Sequence, residues 1–102
     1  MSAFYRKERR INSNNIPADV FFILRKLKES GFLSFLVGGC IRDLILKRPV
    51  RDWDFVTDAQ PEEIRKLFSE YKTLLIGKGF QTVTIILNHQ AFQISSIEKS
   101  NY

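Results

Sequence analysis

Two short segments set the architecture of this chain: LVGGCIRDLIL at residues 36–46 and RDWDFVTDA at residues 51–59. In the first, a short apolar run meets the pair Gly38-Gly39, as a buried strand does where it bends tightly into a helix. We predict that helix over about residues 40–46. In the second, residues 53–57 are mostly aromatic or β-branched, which predicts a strand.

Helical patterns flank these two segments. Before them, Pro17 suits a first helical turn, Gly31 can take the left-handed C-terminal position, and four apolar residues recur at helical spacing. Those four are Val20, Ile23, Leu24 and Leu27. We predict an amphipathic helix over residues 18–30. After the two segments, Pro61 opens a third helix, which has two acids at its positive end and a buried face. That face is formed by Ile64, Leu67 and Phe68.

The remainder of the chain is rich in β-branched residues. We predict strands over residues 73–76, 82–87 and 91–97, and the turn Asn88-His89-Gln90 joins the last two as a hairpin. This order of elements implies an α/β (α+β) fold, with a mixed sheet of about five strands and helices mainly on one face. A chain of 102 residues buries a single core, so we expect one domain.

Charge and cysteine content narrow the function classes. The chain has 16 Lys and Arg against 11 Asp and Glu, and the net charge of +5 favours approach to polyanions. Cys40 is the single cysteine, so no internal disulfide can form and a cytoplasmic location is expected. The most apolar stretch, residues 20–24, is followed at once by Arg25 and Lys26, so we expect neither a signal peptide nor a membrane span.

The sequence divides the chain into a basic leader and a globular head. We predict a flexible leader over residues 1–16 and a head domain over residues 17–102. The leader carries Arg6, Lys7, Arg9 and Arg10. It is either a solvated tail or an arm that contacts RNA phosphates, and the residues leave both possibilities open.

The glycine pair and the residues after it are candidates for phosphate binding. Without side chains at Gly38 and Gly39, backbone N–H groups can approach a phosphate, and the planar guanidinium of Arg42 lies one helical turn later. Asp43 is expected to face elsewhere. Taken alone, the glycines could serve only the tight turn, and Arg42 and Asp43 could form a solvated surface pair.

Two acids flank a tryptophan in the second segment. Alternation along a strand directs the carboxylates of Asp52 and Asp54 to one face and the indole of Trp53 to the other. Two acids on one face repel each other, and a bridging divalent cation relieves that repulsion. Mg²⁺ prefers carboxylate and phosphate oxygens, so Asp52 and Asp54 are the predicted metal-binding and catalytic pair. An acidic surface turn is the alternative interpretation.

Taken together, these motifs and the Pro61-Glu62-Glu63 helix start closely resemble the head of class II CCA-adding enzymes and bacterial poly(A) polymerases. The resemblance runs from about residue 16 to 97 and implies a polymerase-β-like nucleotidyltransferase head. It implies that Gly38, Gly39 and Arg42 bind the triphosphate of ATP or CTP and that Asp52 and Asp54 hold Mg²⁺. The implied reaction transfers AMP or CMP to the 3′ end of an RNA such as tRNA, and the motifs do not distinguish CCA addition from poly(A) addition.

The sequence departs from this family at two positions. The resemblance places a third acid at Gln93, where a neutral amide is a poor ligand for the cation that activates the nucleophile. Lys47 stands where a glycine commonly follows the Arg-Asp helix. Relatives also continue into regions that select the base and hold the RNA. The resemblance therefore implies that a C-terminal body or a separately encoded partner completes the site.

Three functions stay open at this point. The first is the head of a template-independent RNA nucleotidyltransferase. The second is a catalytically degenerate module that binds nucleotide or RNA, which the amide of Gln93 favours. The third is a minimal nucleotidyltransferase acting on a protein or small molecule, although such proteins usually begin the motif with Gly-Ser rather than Gly38-Gly39. Cys40 and His89 are predicted to be structural, the first filling the helix start and the second exposed in the hairpin turn.

Overall fold

A computed structural model describes residues 11–76 and 81–97 of the chain. Within them, a 3-10 turn at Ser13–Asn15 precedes three helices and five strands in the order α1 (Ala18–Glu29), β1 (Ser34–Val37), α2 (Gly39–Ile45), β2 (Trp53–Thr57), α3 (Pro61–Leu67), β3 (Lys72–Ile76), β4 (Thr82–Leu87) and β5 (Gln90–Ser96). The strands form one mixed sheet in the order β1-β2-β5-β4-β3, in which β2 and β5 are parallel and the other pairs antiparallel. The predicted α/β class and strand number are confirmed.

The first helix follows its apolar spacing. All four predicted core residues of α1 have no solvent exposure; these are Val20, Ile23, Leu24 and Leu27. Pro17 lies one residue earlier than expected, as the N-cap, and its carbonyl accepts from the backbone N–H of Val20 at 3.1 Å. Gly31 ends the helix with a φ of +90°, the left-handed conformation predicted for it.

The second helix is bounded by two unusual backbone conformations. Gly38 precedes α2 with a φ of +79°, which side-chain-bearing residues rarely adopt. After the helix, Lys47 has a φ of +59°. Its N–H donates to the carbonyl of Leu44 at 3.2 Å, and the N–H of Arg48 donates to the carbonyl of Asp43 at 2.8 Å. This pair of bonds is a Schellman motif, so a lysine occupies the position that favours glycine.

The third helix and the hairpin also form as expected. Pro61 opens α3, and the backbone N–H of Gln60 donates to the Oε1 of Glu63 at 2.8 Å. Between β4 and β5 the chain turns at Asn88 and His89, both with positive φ, and β5 begins one residue earlier than predicted, at Gln90. His89 is exposed, as expected for a turn residue.

The sheet has one covered face and one that is mostly open. Helix residues such as Leu24, Leu44 and Ile64 join the buried sheet residues Phe55 and Phe92 in one apolar core. Along β2 the burial alternates, so every second side chain points away from this core. The helices therefore lie mainly on one face, as predicted, and the functional candidates on β2 and β5 face the other.

The boundary of the predicted leader needs correction. Ile11 and Ile16 were assigned to a flexible leader, yet they are buried in the core, with 9% and 5% exposure. The polar residues between them interrupt the apolar pattern, so the sequence did not reveal this packing. They form the 3-10 turn, in which the side chain of Asn12 accepts from the backbone N–H of Asn14. Residues 1–10, the Gly77-Lys78-Gly79 segment and residues 98–102 lie outside the described residues. None of the helices in the described ranges has the length and apolarity needed to cross a membrane.

Candidate functional site

The sheet brings the two sequence motifs together at one edge of the open face. Antiparallel pairing of β1 with β2 sets Val37, the last residue before the glycine pair, opposite Asp54. Parallel pairing of β2 with β5 sets Gln93 beside Asp54 on its other side. Strand β4 continues the row with Thr84, the register partner of Gln93. The glycine turn, one carboxylate and the third-acid position are thus neighbours.

A cleft of about 480 Å³ adjoins this row at Asp54. It is lined by Gly39, Cys40, Arg42, Asp43, Arg48, Pro49, Arg51, Asp52 and Asp54. Four of the five residues predicted for nucleotide and metal binding are in this lining. The fifth, Gly38, adjoins the cleft: a Cβ built on it would lie 3.8 Å from the Oδ2 of Asp54.

Gly38 and Gly39 differ in why each position requires glycine. A Cβ on Gly39 would lie 3.2 Å from the Nη2 of Arg42, a tight contact, so the guanidinium is folded back over the glycine turn. At Gly38 the space is sufficient, and the positive φ is what requires glycine. The turn therefore places exposed backbone and a guanidinium side by side.

Arg42 interacts with the acid that follows it. Its Nε and Nη2 lie 3.4 Å and 3.5 Å from the Oδ1 of Asp43. The expectation that Asp43 faces elsewhere is wrong, since Asp43 lines the same cleft and its carboxylate contacts the Arg42 guanidinium. The side chain of Arg42 is 66% exposed, so this pair is weak and the guanidinium is accessible to a ligand.

Asp52 and Asp54 lie in the cleft on either side of a buried tryptophan. Trp53 is 3% exposed and belongs to the core, as predicted. Strand β2 begins at Trp53, so Asp52 belongs to the preceding loop and is exposed, whereas Asp54 is half-buried. Burial, followed by the negative charge of Asp52, raises the pKa of Asp54 above its ordinary value. The predicted repulsion between the two acids is present.

Among the described residues, no third acid completes this pair. Within residues 11–76 and 81–97, no group of three or more His, Cys, Asp or Glu side chains is arranged to hold a metal ion. Gln93 is exposed on β5 beside Asp54, at the position where the resemblance placed an acid. The hydroxyl of Thr84, next along the row, is buried and has no hydrogen-bond partner among the described residues. The open face beside Asp54 therefore carries an exposed amide and one unsatisfied hydroxyl.

Cys40 has a structural role in the cleft wall. It is 1% exposed, and its Sγ donates to the carbonyl of Val37 at 3.1 Å, which ties the helix start to the end of β1. Burial raises the pKa of the Cys40 thiol, so the sulfur stays protonated and poorly nucleophilic. The prediction that Cys40 fills the helix start is confirmed.

Sequence reasoning missed two arginines in the cleft. Arg48 and Arg51 line it together with Arg42. Arg48 lies outside the two segments analysed first, and Arg51 begins the second of them without having been assigned a role. A signal was available, since three of the six residues between α2 and Asp52, namely Lys47, Arg48 and Arg51, are basic. A basic loop that leads directly into an acid pair indicates a site where phosphate and metal meet.

This sequence matches the family model of the poly A polymerase head domain over residues 34–102. The chain belongs to this family. Among curated proteins, it is 40% identical over 74 residues to the CCA-adding enzyme of Lactobacillus delbrueckii subsp. bulgaricus, covering 72% of this chain and 18% of the relative. It is 28% identical over 101 residues to poly(A) polymerase I of Salmonella typhi, covering 99% of this chain and 21% of the relative. The predicted resemblance is confirmed.

Solved structures agree on the fold. The CCA-adding enzyme of Bacillus stearothermophilus in complex with CTP matches with a TM-score of 0.66 and 33% identity, covering 74% of this chain and 19% of that one. A CCA-adding enzyme in complex with ATP matches over 99% of this chain and 25% of that one, with a TM-score of 0.69. Its 18% identity shows the fold alone. This head-domain chain spans about a fifth of the length of the curated relatives it matches.

Proposed function

We propose that this chain is the nucleotide-binding head of a template-independent RNA nucleotidyltransferase, which transfers AMP or CMP from a nucleoside triphosphate to an RNA 3′ end such as that of tRNA. The observation that carries the proposal is the meeting of Arg42 and Gly39 with Asp52 and Asp54 in one cleft. Phosphate-binding groups beside a carboxylate pair are what a metal-assisted phosphoryl transfer requires.

Asp52 and Asp54 would hold Mg²⁺. The two carboxylates fit a hard cation, because they line one cleft and the pKa of Asp54 is raised by burial and, second, by the charge of Asp52. Bound Mg²⁺ would favour ionisation of the attacking hydroxyl and neutralise charge at the phosphate under attack. Asp54, held on β2, has the more fixed position, and the exposed Asp52 is free to adjust to the ligand.

Gly38, Gly39 and Arg42 would bind the phosphates. The positive φ of Gly38 and the missing side chain of Gly39 open the backbone to a close approach. Arg42 lies beside that opening, and its weak pairing with Asp43 costs little to exchange for a phosphate. These residues orient the triphosphate, so that the chemistry proceeds from a fixed geometry.

The proposed reaction forms one bond and breaks one. The RNA 3′ hydroxyl loses its proton to water and attacks the α-phosphorus of the nucleotide. The bond between that phosphorus and its bridging oxygen breaks, and pyrophosphate leaves with the electron pair. Selection of the base and retention of the RNA would fall to regions beyond this chain or to a partner. A cytoplasmic location, expected from the single cysteine, accords with an RNA substrate.

A second candidate is a degenerate module that binds nucleotide without turnover. The observation that favours it is Gln93, which lies beside Asp54 in the parallel β2-β5 pair. An amide carries no charge and ligates a hard cation weakly, so the attacking hydroxyl would be poorly activated. Nucleotide binding through Asp52, Asp54 and Arg42 does not depend on an acid at position 93.

The experiment that tests the proposal is calorimetric titration of the 102-residue chain with ATP and with CTP, in Mg²⁺ and in EDTA. We expect Mg²⁺-dependent binding that weakens at least about tenfold in an Asp52→Asn, Asp54→Asn double variant. The matched control is Glu29→Gln with Glu70→Gln, which removes two exposed negative charges outside the cleft. Equal binding by all three proteins would refute a metal-triphosphate site.

Restoring the third acid separates the two candidates. The unaltered chain and a Gln93→Glu variant would be assayed for transfer of labelled AMP or CMP to tRNA. Transfer by the restored protein alone would support the degenerate module. Comparable transfer by both would show that position 93 does not limit the reaction.

A further inference from the structure

We infer that Arg48 and Arg51 form a second cationic arm of the cleft, which binds the β- and γ-phosphates of a nucleoside triphosphate. The inference deepens the proposed function and rests on it. Both arginines line the cleft that contains Arg42, Asp52 and Asp54. They come from the loop between α2 and β2, which we call the arginine loop and define as residues 46–52.

The arginine loop is anchored at several points. At its start, the Schellman bonds of Lys47 and Arg48 fasten it to the last turn of α2. In the middle, Pro49 has a restricted φ, and Val50 packs against the core. At its end the chain enters β2 at Trp53, which is buried. A backbone fixed in this way loses little entropy when its side chains bind a ligand.

The two arginines lack counter-charges of their own. Within residues 11–76 and 81–97, neither Arg48 nor Arg51 has a carboxylate within ion-pair distance, whereas Arg42 contacts Asp43 at 3.4 Å. The remaining acids of the cleft are Asp52 and Asp54, the pair suited to a divalent cation. Once that pair is balanced by a cation, the charges of Arg48 and Arg51 favour an anionic ligand in the cleft.

A triphosphate fits this requirement better than an RNA backbone. Its three linked phosphates carry several charges within a few ångströms, so one of them can lie at the metal pair while the others reach the arginines. Arg42 alone presents one guanidinium, next to Gly39. Arginines that serve an RNA strand would track along the surface, whereas these converge with the metal pair on a single cleft.

The test compares the full chain with an Arg48→Gln, Arg51→Gln double variant. Calorimetry in Mg²⁺ would use ATP, ADP, AMP, inorganic tripolyphosphate and an RNA hairpin as probes. We expect the double variant to lose about tenfold or more in affinity for ATP and tripolyphosphate, and less than about twofold for AMP. The matched control is Arg25→Gln with Arg65→Gln, two exposed arginines outside the cleft, which should bind like the unaltered chain.

Each alternative outcome has a definite meaning. No Mg²⁺-ATP binding by the unaltered chain would refute the proposed function itself, which separates that failure from failure of the arm. If the unaltered chain binds and the double variant binds equally well, the arm is refuted. An equal loss for ATP and AMP, or a loss confined to an RNA hairpin, would also overturn it. Thermal unfolding of the double variant, expected to match the unaltered chain, controls for misfolding.

Discussion

On the covered face of β2, Trp53 and Phe55 are buried in the apolar core, and the ring of Phe55 packs edge-to-face with Phe92 at 6.3 Å. On the opposite face of the same strand, Asp54 has a raised pKa and stands beside Gln93. One strand therefore separates a buried apolar environment from one that holds unfavourable charge. The difference indicates which face is built for stability and which for a ligand.

Other costly features are found on the side of the cleft. The backbone adopts positive φ on both sides of α2, at Gly38 and at Lys47, as it also does in the hairpin turn at Asn88 and His89. Among the residues that the structure describes, the hydroxyl of Thr84 is buried without a partner, and the two arginines of the arginine loop have no carboxylate within ion-pair distance. Local departures of this kind persist when the surrounding structure over-determines them, and they concentrate at functional sites. The cleft has this character, and the core does not.

The largest effect is expected from opening the core. A Phe55→Ala substitution removes a ring that is 1% exposed, and the cavity should lower the free energy of unfolding by about 4 kcal/mol. The control is Val56→Ala, the next residue on β2, which faces the open side and is half-buried. It should cost about 1 kcal/mol. Urea unfolding measures both, and equal losses would show that the two faces contribute alike.

A smaller effect is expected from the charge on Asp54. Because its pKa is raised in the folded protein, ionisation costs stability above that pKa, and the cost disappears below the ordinary Asp value of 3.8. In EDTA at pH 7, Asp54→Asn should therefore be more stable than the unaltered chain, by less than about 1 kcal/mol for a partly exposed group. The difference should shrink as the pH falls towards 3.8.

Urea unfolding of both proteins between neutral and acidic pH checks this expectation. Asp43→Asn is the control, since its carboxylate lines the same cleft but is paired with Arg42. It should not gain stability at neutral pH. An Asp54→Asn variant that is less stable than the unaltered chain at pH 7 would contradict the assignment of unfavourable charge to this face.

The covered face was largely predictable from the sequence. In α1, which covers this face, apolar residues recur every three or four positions, and that spacing predicts an amphipathic helix. The glycine turn and the Asp52-Trp53-Asp54 segment were predictable as well, because each is a motif of residues that are adjacent in the sequence. Ile11 and Ile16 were missed, since four polar residues between them break any period.

The cleft was predictable only in part. The parallel pairing that puts Gln93 beside Asp54 joins residues that are 39 positions apart, and no local pattern encodes it. The resemblance to a family identified position 93 as the place of a third acid. That Asp54 and Thr84 are its neighbours became clear only from the strand register. Arg48 and Arg51 escaped notice because loop geometry, not periodicity, carries them to the cleft.

The smallest expected effect concerns Lys47, the non-glycine residue at the glycine position of the Schellman motif. A left-handed conformation costs a side-chain-bearing residue about 1 kcal/mol, and glycine removes that cost. Glycine also gives the unfolded chain more freedom, which offsets about half of the gain. Lys47→Gly should therefore raise the free energy of unfolding by about 0.5 kcal/mol in urea unfolding.

Matched variants show whether backbone strain is the cause of that gain. Lys47→Ala removes the same charge but keeps the strained φ, so its stability should not rise. Lys47→Asn tolerates the left-handed conformation without the added freedom of glycine in the unfolded chain, so it should gain at least as much as Lys47→Gly. A gain in all three variants would assign the effect to the lysine charge, next to Arg48 in the basic arginine loop, and would remove Lys47 from the strained residues around the cleft.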